Sequence, residues 1–325
     1  MTINTMFSTL VQDDIQSVEA LMRKQAEGRH EDLAAALDVL ISSGGKRIRP
    51  TITILVGRML GAAHQQLITL AAAIEMLHTA TLVHDDLIDG SLLRRGMPTL
   101  NSQWSPGATV LTGDFMFARA AELAANTDSL PAMKLFAQTL SEIVNGEVNQ
   151  LFQSHCSLSR DKYFDRIYAK TASLFRTSCC SAALISPVSD VVVDSMCTFG
   201  YEIGMAFQIV DDILDFTGEQ RTLGKPVGGD LSSGLFTLPA IIYFEEHQDE
   251  PEIRELSSGD CDILEDEKKL SSLVESIRKS DAIQKSHQEA KKFVERGLDE
   301  LLQQPLSEER RALEEIAEYI IQRNL

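Results

Sequence analysis

The sequence predicts an all-α protein, and three observations carry that prediction. Apolar residues recur at helical spacing through nearly the whole chain. No βαβ alternation and no series of short alternating strands interrupts them. Two acidic motifs sit inside apolar helical stretches 126 positions apart, the arrangement expected of two helices that face each other in one bundle. With 9 prolines, 19 glycines and no Gly/Ser-rich or Pro-rich linker, residues 1–325 read as a single domain.

The elements follow in order. Val11–Ala26 and Glu31–Ile41 read as amphipathic helices, and helical spacing resumes after Pro50 with Ile52, Ile54, Leu55 and Met59. Thr69–Ile88 is apolar nearly all round, which marks a central helix. Further helices are expected at Gly113–Ala125, Pro131–Ser154, Asp161–Ser181, Val191–Phe216 and Leu235–Glu246. Lys and Glu alternate along Glu265–Lys279 and Ala282–Leu302, as on solvated helix faces, and Ser307–Gln322 closes the chain.

Composition excludes several classes of function. A net charge of −18 argues against nucleic acid, which is bound through Lys and Arg. It leaves a small phosphorylated substrate open, because a bound cation inverts the local electrostatics. The five cysteines form no CxxC pair, so neither a disulfide framework nor a zinc site is expected. Met1-Thr2-Ile3-Asn4-Thr5 lacks the basic-then-apolar layout of a secretory signal. The apolar run Leu67–Val83 contains Glu75 and His78, which fits a buried helix better than a transmembrane segment. The expected compartment is the cytoplasm.

The chemistry concentrates in two clusters, His84-Asp85-Asp86-Leu87-Ile88-Asp89 and Val210-Asp211-Asp212-Ile213-Leu214-Asp215. Residues four apart differ by about 40° around a helix, so Asp85 and Asp89 share a face, as do Asp211 and Asp215. Carboxylates this close repel and resist desolvation, and a cation relieves both costs. Oxygen-only ligands point to Mg²⁺ before Ca²⁺, with phosphate completing the shell. Cations accompany the clusters. Gly44-Gly45-Lys46-Arg47-Ile48-Arg49-Pro50 offers a diphosphate grip, or else a plain basic loop. His78 lies two helical turns before Asp85 on nearly the same face. Arg94 and Arg95 suit bidentate phosphate contacts or neutralisation of the first cluster. Lys170-Thr171 and the glycine-rich Leu223-Gly224-Lys225-Pro226-Val227-Gly228-Gly229-Asp230 are weak signals singly. Together these features serve one task, cation-bridged diphosphate binding.

In this ordered combination, from Gly44 to about Pro239, the chain resembles the trans-isoprenyl diphosphate synthases of the polyprenyl synthetase family. The two aspartate motifs, Gln208 before the second, Lys170-Thr171, Val110-Leu111-Thr112-Gly113-Asp114 and Gly146-Glu147 all match family positions. The resemblance implies an all-α, isoprenoid synthase type bundle with a deep central cavity, usually a homodimer. It implies Mg²⁺ on Asp85, Asp89 and Asp211, with Asp86, Asp212 and Asp215 completing the catalytic motifs. Arg94, Lys170 and Lys225 would hold an allylic diphosphate, and Lys46, Arg49, His78 and Arg95 isopentenyl diphosphate. Thr171 and Gln208 would stabilise the allylic cation by fixed dipoles. One departure stands out: Gly234-Leu235-Phe236-Thr237-Leu238-Pro239 carries Leu235 where many members have a lysine. The expected reaction is head-to-tail condensation of isopentenyl diphosphate with an allylic diphosphate.

Product length is expected to depend on Leu77, Ala80 and Thr81, with Phe136 or Leu140 closing the floor deeper down. Short-chain members often carry an aromatic blocker at the position of Ala80, so its small side chain points to a long, octaprenyl to nonaprenyl product, with geranylgeranyl or farnesyl diphosphate as the alternative. A terpene cyclase or head-to-head transferase would not need the GGKRxRP loop. A non-catalytic partner subunit of a heteromeric synthase would be expected to have lost one aspartate motif, and both are intact.

Overall fold

The computed structural model describes residues 6–42, 45–94, 96–152, 158–218, 228–258 and 261–323. Among them the chain is helical almost throughout: α1 Met6–Leu10, α2 Gln12–Lys24, α3 Glu31–Ser42, α4 Ile48–Leu60, α5 His64–Ile88, α6 Leu100–Gln103, α7 Pro106–Ala125, α8 Leu130–Phe152, α9 Arg160–Ile167, α10 Ser173–Leu184, α11 Asp190–Thr217, α12 Gly229–Ser232, α13 Leu238–Glu246, α14 Pro251–Ser257, α15 Glu267–Lys279, α16 Ala282–Leu301 and α17 Glu308–Gln322. A π-helical turn, Tyr168–Ala172, joins α9 to α10, and a 3-10 turn spans Asp262–Glu265. The only described strands are the two-residue β1 (Leu93–Arg94) and β2 (Met97–Pro98), antiparallel with Leu93 opposite Pro98. The all-α expectation holds.

The chain divides into two compact units. The first comprises Met1–Leu140, Leu174–Gly200 and Asp299–Ile316, and the second Ser141–Ser173, Tyr201–Leu298 and Ala317–Leu325. In the first, α5 is the central element, packed by α2, α4 and α7. From Leu67 through Leu77 every residue of α5 is buried, which explains its apolar character on all sides. It is the one described helix long and apolar enough to span a membrane, and most of that stretch lies inside the fold. In the second unit, α13 packs on α9 and α15, and its residues Leu238–Phe244 are all buried.

Several expectations need adjustment. α7 begins at Pro106 rather than Gly113, because Ser105 caps it by accepting the Ala108 N–H, and proline at the first helical position costs no hydrogen bond. The expected helix Asp161–Ser181 is interrupted by the π turn, where the Ser173 N–H donates to the Tyr168 carbonyl five residues back. Gly229-Asp230, expected in a loop, open the short α12, entered through Gly228 at φ +72°. Gln153 and Ser154, expected to end the helix that starts near Pro131, fall outside the described residues. The expectation that the cysteines form no disulfide is wrong: Cys180 and Cys197 are disulfide-bonded. They lie 17 positions apart on consecutive helices, α10 and α11, and that pairing by the fold leaves no spacing signal in the sequence. Leu135 packs against the bridge.

Candidate active site

The first aspartate cluster closes α5. The Asp89 N–H donates to the Asp85 carbonyl at 2.8 Å, so the two residues do stand one helical turn apart. The three aspartates are not equivalent. Asp85 is half-buried and Asp89 exposed, whereas Asp86 is buried. Arg94, on β1, donates through Nε to both Asp86 carboxylate oxygens at 2.8 and 3.1 Å and reaches Oδ1 again through Nη2. Arg94 thus neutralises the buried middle aspartate in this structure, and Asp85 and Asp89 are the more accessible pair. Close helix approach fixes the preceding turn: a Cβ on Gly113 of α7 would lie 2.1 Å from His84 Nε2.

The three cations Lys46, Arg47 and Arg49, at the start of α4, differ in their surroundings. Lys46 is exposed. Arg47, with a left-handed backbone (φ 46°), turns inward to Glu75 at 2.7 Å and Glu19 at 3.0 Å, and also donates to the Ile41 carbonyl. Its side chain is 11% exposed and that of Glu75 6%, so Arg47 anchors the loop and its pairing accounts for Glu75 in an apolar helix. Arg49 lies over the Phe175 ring at 4.6 Å, and its Nη1 is 3.2 Å from His78 Nε2. The structure therefore brings Arg49 and His78 together. Leu77 and Ala80 are fully buried in α5, Thr81 is half-buried, and Phe136 is buried in α8.

The second unit repeats the pattern on α11. Asp211 and Asp215 are half-buried and Asp212 is buried. Asp212 accepts from the Tyr163 hydroxyl at 2.7 Å and from Gln208 Nε2 at 2.8 Å, while the Thr171 hydroxyl donates to Gln208 Oε1 at 2.7 Å. Burial, helped by the charge of Asp230, pushes the Asp212 carboxyl well above its usual range, against the pull of the two hydrogen bonds. Burial and the charge of Asp212 raise the Tyr163 phenol. Asp215 accepts the Asp230 N–H at 3.4 Å. Asp211 accepts from Arg323 at 2.6 Å.

The π turn presents Lys170 and Thr171. Gly146 of α8 makes room for it, since a Cβ there would lie 2.6 Å from Ala169 Cβ, and neighbouring Glu147 holds Lys170 Nζ at 3.0 Å. Arg95 and Lys225 fall outside the described residues. Tyr163, Phe175 and Arg323 were not singled out from the sequence: each is an ordinary residue of a helix or its end, and only folding brings it to an aspartate or arginine of the motifs.

Asp85 with Asp89, and Asp211 with Asp215, offer oxygen donors alone, each pair one turn apart, with the middle aspartate of each cluster already engaged. Either pair fits a hard divalent cation that takes one or two carboxylates and completes its shell with phosphate and water.

The sequence profile of the polyprenyl synthetase family matches residues 30–277, three quarters of the chain and every motif described above. The chain belongs to that family. As a polyprenyl synthetase it is a prenyltransferase. It is 35% identical to the chloroplastic solanesyl-diphosphate synthase 2 of Oryza sativa subsp. japonica over 97% of this chain and 78% of that protein. It is 34% identical to heptaprenyl diphosphate synthase component 2 of Geobacillus stearothermophilus over the whole of both. Among solved structures, the polyprenyl synthase of Caulobacter crescentus CB15, complexed with calcium and isoprenyl diphosphate, superposes with a TM-score of 0.90 at 34% identity, covering 97% of this chain and 96% of that one.

Proposed function

We propose that this polyprenyl synthetase condenses isopentenyl diphosphate head-to-tail with an allylic diphosphate, dependent on Mg²⁺, and elongates it to a long-chain all-trans polyprenyl diphosphate. The carrying observation is the division of labour in both clusters: the middle aspartate is buried and internally paired, and the outer two are the more accessible.

Asp85 and Asp89 in the first unit and Asp211 in the second would hold Mg²⁺, with Asp215 one turn after Asp211 on α11. When bound, Mg²⁺ supplies Lewis-acid charge that stabilises the departing diphosphate. Lys170, Lys225 and Arg94 grip the allylic diphosphate, and Lys170 and Lys225, with Mg²⁺ when bound, carry the load that Leu235 does not. Lys46, Arg49, His78 and Arg95 hold isopentenyl diphosphate so that its double bond meets the allylic carbon as the C–O bond breaks. Thr171 and Gln208 turn fixed dipoles to the developing cation. The proton lost from the condensation adduct goes to the released diphosphate.

Ala80 favours a long product, and the relatives named for solanesyl and heptaprenyl diphosphate synthesis support that length. Purified protein given Mg²⁺, isopentenyl diphosphate and farnesyl diphosphate should yield a product ladder, read by mass spectrometry, that ends at one long prenyl diphosphate. A ladder ending at geranylgeranyl diphosphate would overturn the length while keeping the reaction.

The chain is read as a cytoplasmic homodimer. Val144, Val148 and Leu151 are exposed on α8 at positions that share one face, an apolar stripe suited to a second copy. Sedimentation should give about twice the chain mass, and an organellar location of a tagged copy would overturn the compartment. The relative named as a component of heptaprenyl diphosphate synthase favours a second reading, a subunit active only with another chain. Elongation by this chain alone excludes it.

A further inference from the structure

The second unit contains a hydrogen-bonded line that runs from a fully buried phenol to the threonine at the reacting centre. Tyr163 lies on α9, is 1% exposed and donates its hydroxyl to Asp212 Oδ2 at 2.7 Å. Asp212 Oδ1 accepts from Gln208 Nε2 at 2.8 Å, one turn earlier on α11. Gln208 Oε1 accepts from the Thr171 hydroxyl at 2.7 Å, in the π turn. We propose that Tyr163 is a positioning residue of prenyl transfer, which holds Asp212 so that Asp212 fixes the Gln208 amide and the amide fixes the Thr171 hydroxyl. The inference rests on the reading of Thr171 and Gln208 as the dipoles facing the allylic cation.

A glutamine amide without a fixed partner has no fixed direction. Its oxygen and nitrogen ends are nearly the same size, and rotation by half a turn exchanges them at little steric cost. With Nε2 held by Asp212, Oε1 must face Thr171, so the threonine proton points at Gln208 and its lone pairs point elsewhere. A dipole aimed before the reaction stabilises developing positive charge without reorganising, and one free to turn does not. Asp212 can hold the amide only if it is itself fixed, and the phenol takes its second oxygen. Arg166 fixes the phenol in turn, with its guanidinium 5.5 Å from the ring centre and Nη2 donating to the Phe236 carbonyl at 2.7 Å. The whole line is buried or half-buried, so water offers little substitute.

The test is a cycle of variants assayed for elongation with Mg²⁺, isopentenyl diphosphate and farnesyl diphosphate, each checked by thermal melting and circular dichroism. Tyr163→Phe keeps the ring and removes the hydroxyl. It should lower kcat roughly 10–100-fold while leaving KM for both diphosphates unchanged, since it misaligns a reacting group and contacts neither substrate. Gln208→Ala should lower kcat at least as much. The double variant should be no slower than Gln208→Ala, because Tyr163 acts only through that amide. Asp212→Asn, which keeps shape but presents an N–H to one of its two donors, should reproduce the kcat loss and serves if Tyr163→Phe melts early. Wild-type kcat in Tyr163→Phe, or losses that multiply in the double variant, would overturn the inference alone. Wild-type kcat in Gln208→Ala would instead overturn the reading of Thr171 and Gln208, and the inference with it.

Discussion

Arg323 Nη2 stands 2.6 Å from Asp211 Oδ1, with the guanidinium laid over the Phe207 ring at 4.4 Å. The last described residue of the chain therefore occupies an oxygen of the second aspartate cluster. A divalent cation arriving at Asp211 meets a cation already there. Arg323→Gln should bind Mg²⁺ in the presence of inorganic diphosphate about fivefold more tightly, the equivalent of ~1 kcal/mol for a partly exposed pair. Isothermal calorimetry reads this directly, and weaker binding by the variant would mean that Arg323 helps the cation rather than competing with it.

Arg47 is the next case. Because its partner Glu75 is nearly buried, Arg47→Met strands a carboxylate in the core and should cost about 3–5 kcal/mol of stability. Replacing both, as Arg47→Met with Glu75→Leu, should recover most of that loss. Urea denaturation of the three variants measures it, and equal instability of the single and double variants would count against the pairing.

Gly146 and Ala169 touch where α8 passes the π turn. Gly146→Ala should destabilise by about 1–3 kcal/mol through overpacking and should slow turnover by moving Lys170. Adding Ala169→Gly should restore both. If the second change rescues neither, the close approach is not what the glycine provides.

The disulfide between Cys180 and Cys197 closes a short stretch of chain across the turn between α10 and α11. Reduction, or Cys197→Ala, should lower stability by about 2–4 kcal/mol. Cys179 next to it is buried, and burial pushes its thiol pKa up, so it should resist alkylation until the protein unfolds. Mass spectrometry after native iodoacetamide treatment checks this, and rapid labelling of Cys179 in the folded protein would contradict it.

Helix identity and the aspartate helices were legible because apolar spacing over twenty residues is a strong signal, and Asp85 with Asp89 follows from helix geometry alone. Roles inside each cluster were not. Nothing in Asp-Asp-x-x-Asp says that the middle residue turns to the interior, because that depends on Arg94 eight positions on and on Tyr163 on another helix. The loop Gly44–Pro50 shows the same limit: three neighbouring cations look alike as a string, and the buried Glu75 decides which of them is structural. α7 starts at Pro106, ahead of the expected Gly113, because proline is at home in a first turn.

The π turn has one further consequence. Tyr168–Ala172 fits one more residue into its turn than the helices on either side. Removing a single residue there would let the segment relax to an ordinary helix with its flanks almost in place, and would shift the residues within the turn, Lys170 and Thr171 among them, by up to about 100° around the axis. This stretch should therefore tolerate changes of letter far better than changes of length, and an insertion or deletion of one residue between Ile167 and Ser173 should abolish turnover where most single substitutions only reduce it.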